Sequence, residues 1–266
     1  MKRVNKIKKI IFIGLKDVAA YPTDILITCV SGLVFIGIQY FLWRCVYQAR
    51  TDIGGFDFKA LISYVALVSI ITTFLGFSFI ERRIQTHMMN GNVGLDLLFP
   101  FDYQGYHILL CYARNLFSFL ASGIPLFLFS VFLLGLSIPS LPTILIFFIT
   151  LHLGFLIGAG VSFIIGISAF SLKNNESCIQ VNNFVSGILS GGLVPLSFFP
   201  LFVKNLADVL PFKGIIFIPI QVYLGKIQGY DILFALLFQI FWVLIISISG
   251  KLLFKHLTKK IEIFGG

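Results

Sequence analysis

Residues 187–200 read GILSGGLVPLSFFP, a stretch apolar enough to sit in a membrane yet written to break a helix. Gly191 and Gly192 loosen the backbone, and Pro195 and Pro200 remove amide donors, so an uninterrupted spanning helix is not expected across it. Non-helical backbone survives at membrane depth only where protein or a water-filled cavity shields it. The stretch is therefore expected to lie at a packed interface or along a path, with Gly191, Gly192, Pro195, Phe199 and Pro200 as candidate path residues. The competing reading is a helix kink followed by an ordinary loop.

The setting of that stretch follows from composition. Of 266 residues, 58% are hydrophobic, 12% are charged and 31 are Phe, and the mean hydropathy is +0.99; soluble domains carry about a quarter charged residues. This describes an all-α polytopic membrane protein with about six spans. The whole chain, 1–266, is taken up by one transmembrane domain, with no room for a soluble domain of about a hundred residues. The net charge of +9 gathers at predicted membrane borders rather than on a soluble face, which favours orientation in a bilayer over nucleic-acid binding. Cys29, Cys45, Cys111 and Cys178 are far apart, without a C-x-x-C pair or a nearby histidine set, and read as packing thiols; no metal site is expected.

Residues 1–20 read as an interfacial helix, with Val4, Ile7, Ile11, Leu15 and Val18 on one stripe and Asn5, Lys6, Lys9, Lys16 and Asp17 opposite. A plain basic leader is the alternative. No cleaved signal peptide is expected, because Lys16 and Asp17 interrupt the apolar run and no small-residue cleavage site follows. Spans are expected at 25–43, 60–79, 108–136, 141–172, about 178–189 and 231–253. Gly154, Gly158 and Gly187 are candidate packing glycines, since small residues let helices approach closely. Arg114 either snorkels to the interface or is functional. His152 reads as a hydrogen-bonded structural residue, with no second metal ligand near it in sequence.

The largest internal polar insert is 80–106, where Glu81, Arg82 and Arg83 accompany Ile80, Ile84 and Met88 at helical spacing. Its helix is expected to end near Asn90 and Gly91, and a short second segment, which contains Asp96, closes at Pro100 and Asp102. This insert is the candidate docking surface for a partner; a solvated loop is the commoner fate of such charges. With both termini inside, thirteen basic residues fall on inner segments, from Lys2 to Lys16, at Arg82, Arg83 and Lys173, and from Lys251 to Lys260. With Arg114 set aside, only Arg44, Arg50, Lys59, Lys204, Lys213 and Lys226 fall outside. The positive-inside rule then places the termini and 80–106 in the cytoplasm and the broken region 187–220 outside.

The sequence has no G-x-x-x-x-G-K-[ST] nucleotide loop, no H-E-x-x-H, no G-x-S-x-G and no pair of carboxylates within a span. A membrane-embedded enzyme or scaffold and an ion-coupled carrier therefore rank below a passive permease. An amphipathic leader, six spans, the insert NGNVGLDLLFP, the break GGLVPLSFFP, the element from Pro219 to Gly225, and Gln239 with Trp242 in the last span together resemble the ABC-2 type permeases. The nearest branch is that of bacterial subunits of similar length that pair with a separately encoded ATPase. Phe99 departs from the pattern, where a basic residue often precedes the proline.

The resemblance implies a cell-membrane transport subunit that is not itself an enzyme and holds no cofactor, with ATP and Mg in the partner ATPase. A second permease subunit, identical or not, would complete a dimer. The aromatic-rich, nearly uncharged spans suggest an apolar or amphipathic cargo, and phenylalanine facing lipid is the competing explanation of that composition. The resemblance makes Glu81, Arg82, Arg83, Gly91, Asp96, Pro100 and Asp102 the ATPase-coupling residues and makes the segment from Gly191 to Pro200 an external re-entrant hairpin.

Overall fold

A computed structural model describes residues 9–14, 16, 18, 22–94, 102–172 and 175–258. Among them the chain is helical and contains no strand beyond a single bridge between Ile53 and Phe56. Helix α1, Pro22–Val46, opens on a proline, whose missing amide costs nothing in a first turn. Only Ile36 of its 25 residues is buried. Helix α2, Phe58–Thr72, is the opposite case. Asp57 caps it by accepting from the Ala60 amide at 2.8 Å, and every residue from Leu61 to Ile71 is buried, as expected of a helix apolar all round.

The second expected span, 60–79, is divided. Helix α2 stops at Thr72, and after an irregular stretch, 73–77, helix α3 runs over Ser78–Met89. The physical cause lies in the next helix, α4, Tyr103–Ser118. There the Asn115 amide donates to the carbonyls of Phe74 at 2.9 Å and Gly76 at 3.0 Å, and the Cys111 thiol reaches the Gly76 carbonyl at 3.5 Å. Side chains from a neighbour thus satisfy backbone groups that the broken helix leaves open. Helix α4 continues through a π-turn at Phe119–Gly123 into α5, Ile124–Leu134; Pro125 cannot donate to the preceding turn, which displaces the hydrogen-bond ladder.

Helix α6, Leu141–Ile167, is the hub of the bundle and packs against α3, α4 and the last helix, α11, Tyr230–Leu257. Its glycines permit the contacts. A methyl on Gly154 would lie 2.7 Å from the Ile215 carbonyl, and one on Gly158 would lie 2.2 Å from the Phe77 ring. Buried Gln239 fastens α11 by donating to the carbonyls of Thr150 at 2.9 Å and Gly214 at 2.7 Å. A short helix, α7, Ala169–Leu172, follows, and buried Asn175 donates back to the Ile165 carbonyl at 2.8 Å, closing the end of α6. Then come α8, Glu176–Leu189, α9, Leu201–Val209, and α10, Phe217–Tyr223.

Among the described residues, four helical stretches are long and apolar enough to cross a bilayer: Pro22–Val46, Tyr103–Leu134, Leu141–Leu172 and Tyr230–Leu257. Polar contacts mark two ends of the bundle. At one end Lys251 meets Asp102 at 3.4 Å and Arg82 meets Glu176 at 3.8 Å. At the other, Lys226 donates to the Gly55 carbonyl at 2.6 Å and Tyr223 to the Ser137 carbonyl at 3.2 Å. They are called here the Glu81 end and the Gly191 end. The interfacial segment 1–20 falls largely outside the described residues; 9–14, 16 and 18 are helical, with Ile10 buried and Gly14 so close to α4 that a methyl would lie 2.8 Å from the Ala113 Cβ.

Candidate coupling and translocation site

The chain breaks where residues 187–200 foretold. Helix α8 ends at Leu189, Gly191 adopts φ +79°, Pro195 precedes a 3-10 turn at Leu196–Phe198, and Pro200 precedes α9. Two anchors hold this geometry. The buried Tyr64 hydroxyl donates to the Gly191 carbonyl at 2.7 Å, and the Phe217 amide donates to the Ser190 carbonyl at 3.0 Å. Gly191 is required twice over, because its φ lies in the left-handed region and a methyl would sit 2.6 Å from the Tyr64 oxygen. Gly192 and Phe199 are half-buried, Pro195 is buried and Pro200 is exposed.

An aromatic cluster braces the turn from the loop after α1. Phe198 meets Trp43 at 5.4 Å and Phe56 at 5.9 Å between ring centroids, a range in which edge-to-face contact is favourable. The Lys226 ammonium lies 3.1 Å from the Phe56 ring centroid. Burial holds this lysine below its usual range, while Asp52 and Asp57 pull it back up.

At the opposite end, Glu81 requires a correction. Expected as an exposed docking group, it is 1% exposed. Its Oε1 accepts from the Asn182 amide of α8 at 3.0 Å, and its Oε2 has no partner among the described residues. The reason is local packing: Ile80, Glu81 and Ile84 form the face of α3 that lies on α6, where Gly166 leaves space for it. Arg82 points outward, with a side chain 67% exposed, and pairs with Glu176. Arg83 donates to the Tyr106 hydroxyl at 3.4 Å. Gly91 has φ +72° just past the end of α3, and Asp102 stands before α4 facing Lys251. Asp96 and Pro100 lie outside the described residues.

Between the two ends is a cavity of about 180 Å³, lined by the irregular stretch after α2 and by Ser162, Asn182, Asn183, Ser186 and Gly187. Gly187 was expected to pack against a helix, yet within the chain a methyl there meets nothing within 4 Å, because the residue borders this space. Asn182, Ser186 and Ser190 follow helical spacing along α8, and the Ser186 hydroxyl donates to Asn182 Oδ1 at 3.3 Å. An interior polar cluster was not expected, because its members are far apart in the sequence: Glu81 and Asn182 are separated by 101 positions. The polar i, i+4, i+8 stripe on an apolar segment was the available signal. Tyr64, Asn115 and Cys111 carried no such pattern.

Two further residues are placed plainly. The His152 ring bonds to the Tyr112 hydroxyl at 2.8 Å and the Phe148 carbonyl at 2.6 Å. The Arg114 guanidinium lies over the Phe79 ring at 4.1 Å and borders a second cavity of about 160 Å³ that Asp24 and Ser118 also line.

Several long apolar helices around a hub, with interior polar groups shielded by neighbouring helices, define a multi-pass membrane protein. The family model described as ABC-2 family transporter protein matches residues 33–265, and the chain belongs to that family. It is a membrane subunit of the transport class rather than a catalytic one. A search of curated proteins found no match.

Proposed function

We propose that the chain is the permease subunit of an ATP-driven exporter in a bacterial cell membrane, with both termini cytoplasmic. Six crossings are formed by α1, by α2 with the irregular stretch 73–77, by the continuous pair α4 and α5, and by α6, α8 and α11, with α3 in the cytoplasmic insert. The segment from Gly191 to Pro200, between α8 and α9, makes an external re-entrant hairpin. A separate ATPase, which carries ATP and Mg, docks on the cytoplasmic insert 80–106, and a second permease subunit completes the path. The cargo is apolar or amphipathic.

The observation that carries this reading is a line of hydrogen bonds from one end of the bundle toward the other. It runs from Glu81 on α3 to Asn182, along α8 through Ser186, and resumes at the break, where Ser190 and Gly191 are held by Phe217 and Tyr64. A push on the exposed face of α3, which bears Arg82, is passed to α8 by the buried Glu81 and so to the hairpin. Within the insert, Arg82, Arg83 and Asp102 are the groups that meet the partner, with Asp96 and Pro100 in the same segment.

The test is co-expression with an ATPase encoded beside this chain, joint purification and reconstitution into vesicles. The proposal expects a stable complex in which Glu81→Gln or Asp96→Asn leaves assembly intact while separating ATP hydrolysis from transport. Failure to co-purify, or unchanged transport in both variants, refutes it. Transport driven by an ion gradient without any ATPase would instead favour an ion-coupled carrier, to which the buried Glu81 carboxylate lends a feature the sequence did not display.

A further inference from the structure

The cavity beside α8 carries several polar side chains in a largely apolar wall. Its wall includes the hydroxyls of Thr72, Ser162 and Ser186 and the side chain of Asn183, and among the described residues no Lys, Arg or His lines it. Directly behind Ser162 and Asn182 stands Glu81, buried and with one oxygen unpartnered among the described residues. The basic group nearest in sequence, Arg82, turns outward and pairs with Glu176, so the two charges on that side offset one another.

Each class of ligand meets this wall differently. An anion finds no counter-charge and faces a carboxylate. A purely apolar group fills the space but makes no use of the hydroxyl and amide oxygens that line it. An ammonium group offers three donors and no acceptor, which matches a surface of hydroxyl and amide oxygens. Its charge also compensates that of a carboxylate in a medium where opposite charges attract far more strongly than in water. The irregular backbone at 73–77 fits the same picture, since unwound segments commonly border cation sites in membrane proteins.

We propose that this cavity receives a monovalent cationic group, chiefly the ammonium head of an amphipathic molecule, with Glu81 as its counter-charge and Ser162, Ser186 and Asn183 as its polar contacts. Placing this site on the transport path rests on the permease reading above; the site itself rests on the cavity and its buried carboxylate. The cavity accommodates the head group, and the apolar tail lies along the exposed flank of α8 that Val181 and Phe184 form.

The test is the thermal unfolding of the purified full chain in a neutral detergent, at constant ionic strength, with n-hexylammonium, n-hexanol, sodium or potassium added. Hexylammonium is expected to raise the melting temperature saturably and hexanol to leave it unchanged. In Glu81→Gln the half-saturating concentration should rise at least about tenfold, as for loss of a charge-assisted contact. Ser186→Leu, which keeps the carboxylate and fills the space, should abolish the shift and covers the case in which the Glu81 variant does not fold. A Glu81-dependent shift with sodium or potassium alone supports the site with an inorganic cation as its source. Equal shifts with hexanol, or undiminished binding in both variants, overturn it. If hexylammonium fails to bind while the chain still co-purifies with its ATPase, only this proposal falls; if binding holds and no ATPase is recovered, it is the permease reading that falls.

Discussion

Replacing Tyr64 by Phe removes one oxygen from the structure and isolates one backbone group. The Tyr64 side chain is 1% exposed, and its hydroxyl donates to the Gly191 carbonyl at 2.7 Å. With the hydroxyl gone, that carbonyl is buried without its side-chain partner, at a cost of about 1–3 kcal/mol. The cost falls on the closed arrangement of the break, because an open one lets the carbonyl find water. Local opening is then favoured by roughly 5- to 140-fold, at about 1.4 kcal/mol per factor of ten. The amide of Phe217, which donates to Ser190 next door, reports this directly: its hydrogen-exchange protection should fall by that factor, read by mass spectrometry on peptides covering 210–224. Tyr230→Phe, at a residue 85% exposed, is the control and should change nothing. Undiminished protection in Tyr64→Phe would show that the hydroxyl does not fasten the break, and the line from Glu81 to the hairpin would lose its last link.

Gly158→Ala should destabilise the bundle by about 1–3 kcal/mol through overpacking against Phe77, with recovery in the double variant that also carries Phe77→Leu; Gly187→Ala, which meets open space, should be neutral or stabilising by up to about 1 kcal/mol in thermal unfolding. Asn115→Ala strands the carbonyls of Phe74 and Gly76 and should lower stability by about 1–3 kcal/mol. Lys226 titrates below its ordinary 10.5 in the folded chain, so the unfolded chain binds more protons in that window, and stability should rise with pH as it approaches 10.5. Lys226→Met should flatten that rise in a pH series of melting curves. Lys251→Ala breaks an exposed pair with Asp102 and should cost no more than about 1 kcal/mol.

The last helix was legible because its run of apolar residues is long and ends in lysines, and α11 extends only a few residues beyond the expected 231–253. The break at Gly191 was legible for a local reason: glycine and proline act on their own backbone, so no neighbour need be known. The division of 60–79 was not. Nothing within that apolar segment demands an interruption; the partners of its open carbonyls are Cys111 and Asn115, on another helix. Glu81 misled for a related reason. Amphipathic spacing correctly gives α3 a buried side, but the sequence assigns a carboxylate to water by default, and only the approach of Asn182 makes its burial tolerable. The cavity depends on four parts of the chain meeting, and no single one of them carries its signature.

The division between α2 and α3 gives the molecule a fulcrum. In the proposed coupling, Asn115 grips the chain at Phe74 and Gly76, α2 beyond it is locked in the core, and α3, seated on α6 by Ile80 and Ile84, is the arm that swings. Its 12 residues make an arm about 18 Å long at 1.5 Å per residue. A tilt of about 10° at the grip sweeps the far tip through roughly 3 Å, while Glu81, on the first turn, travels less than a third as far. A broad stroke at the rim is thereby geared down to a small, firm displacement at the carboxylate.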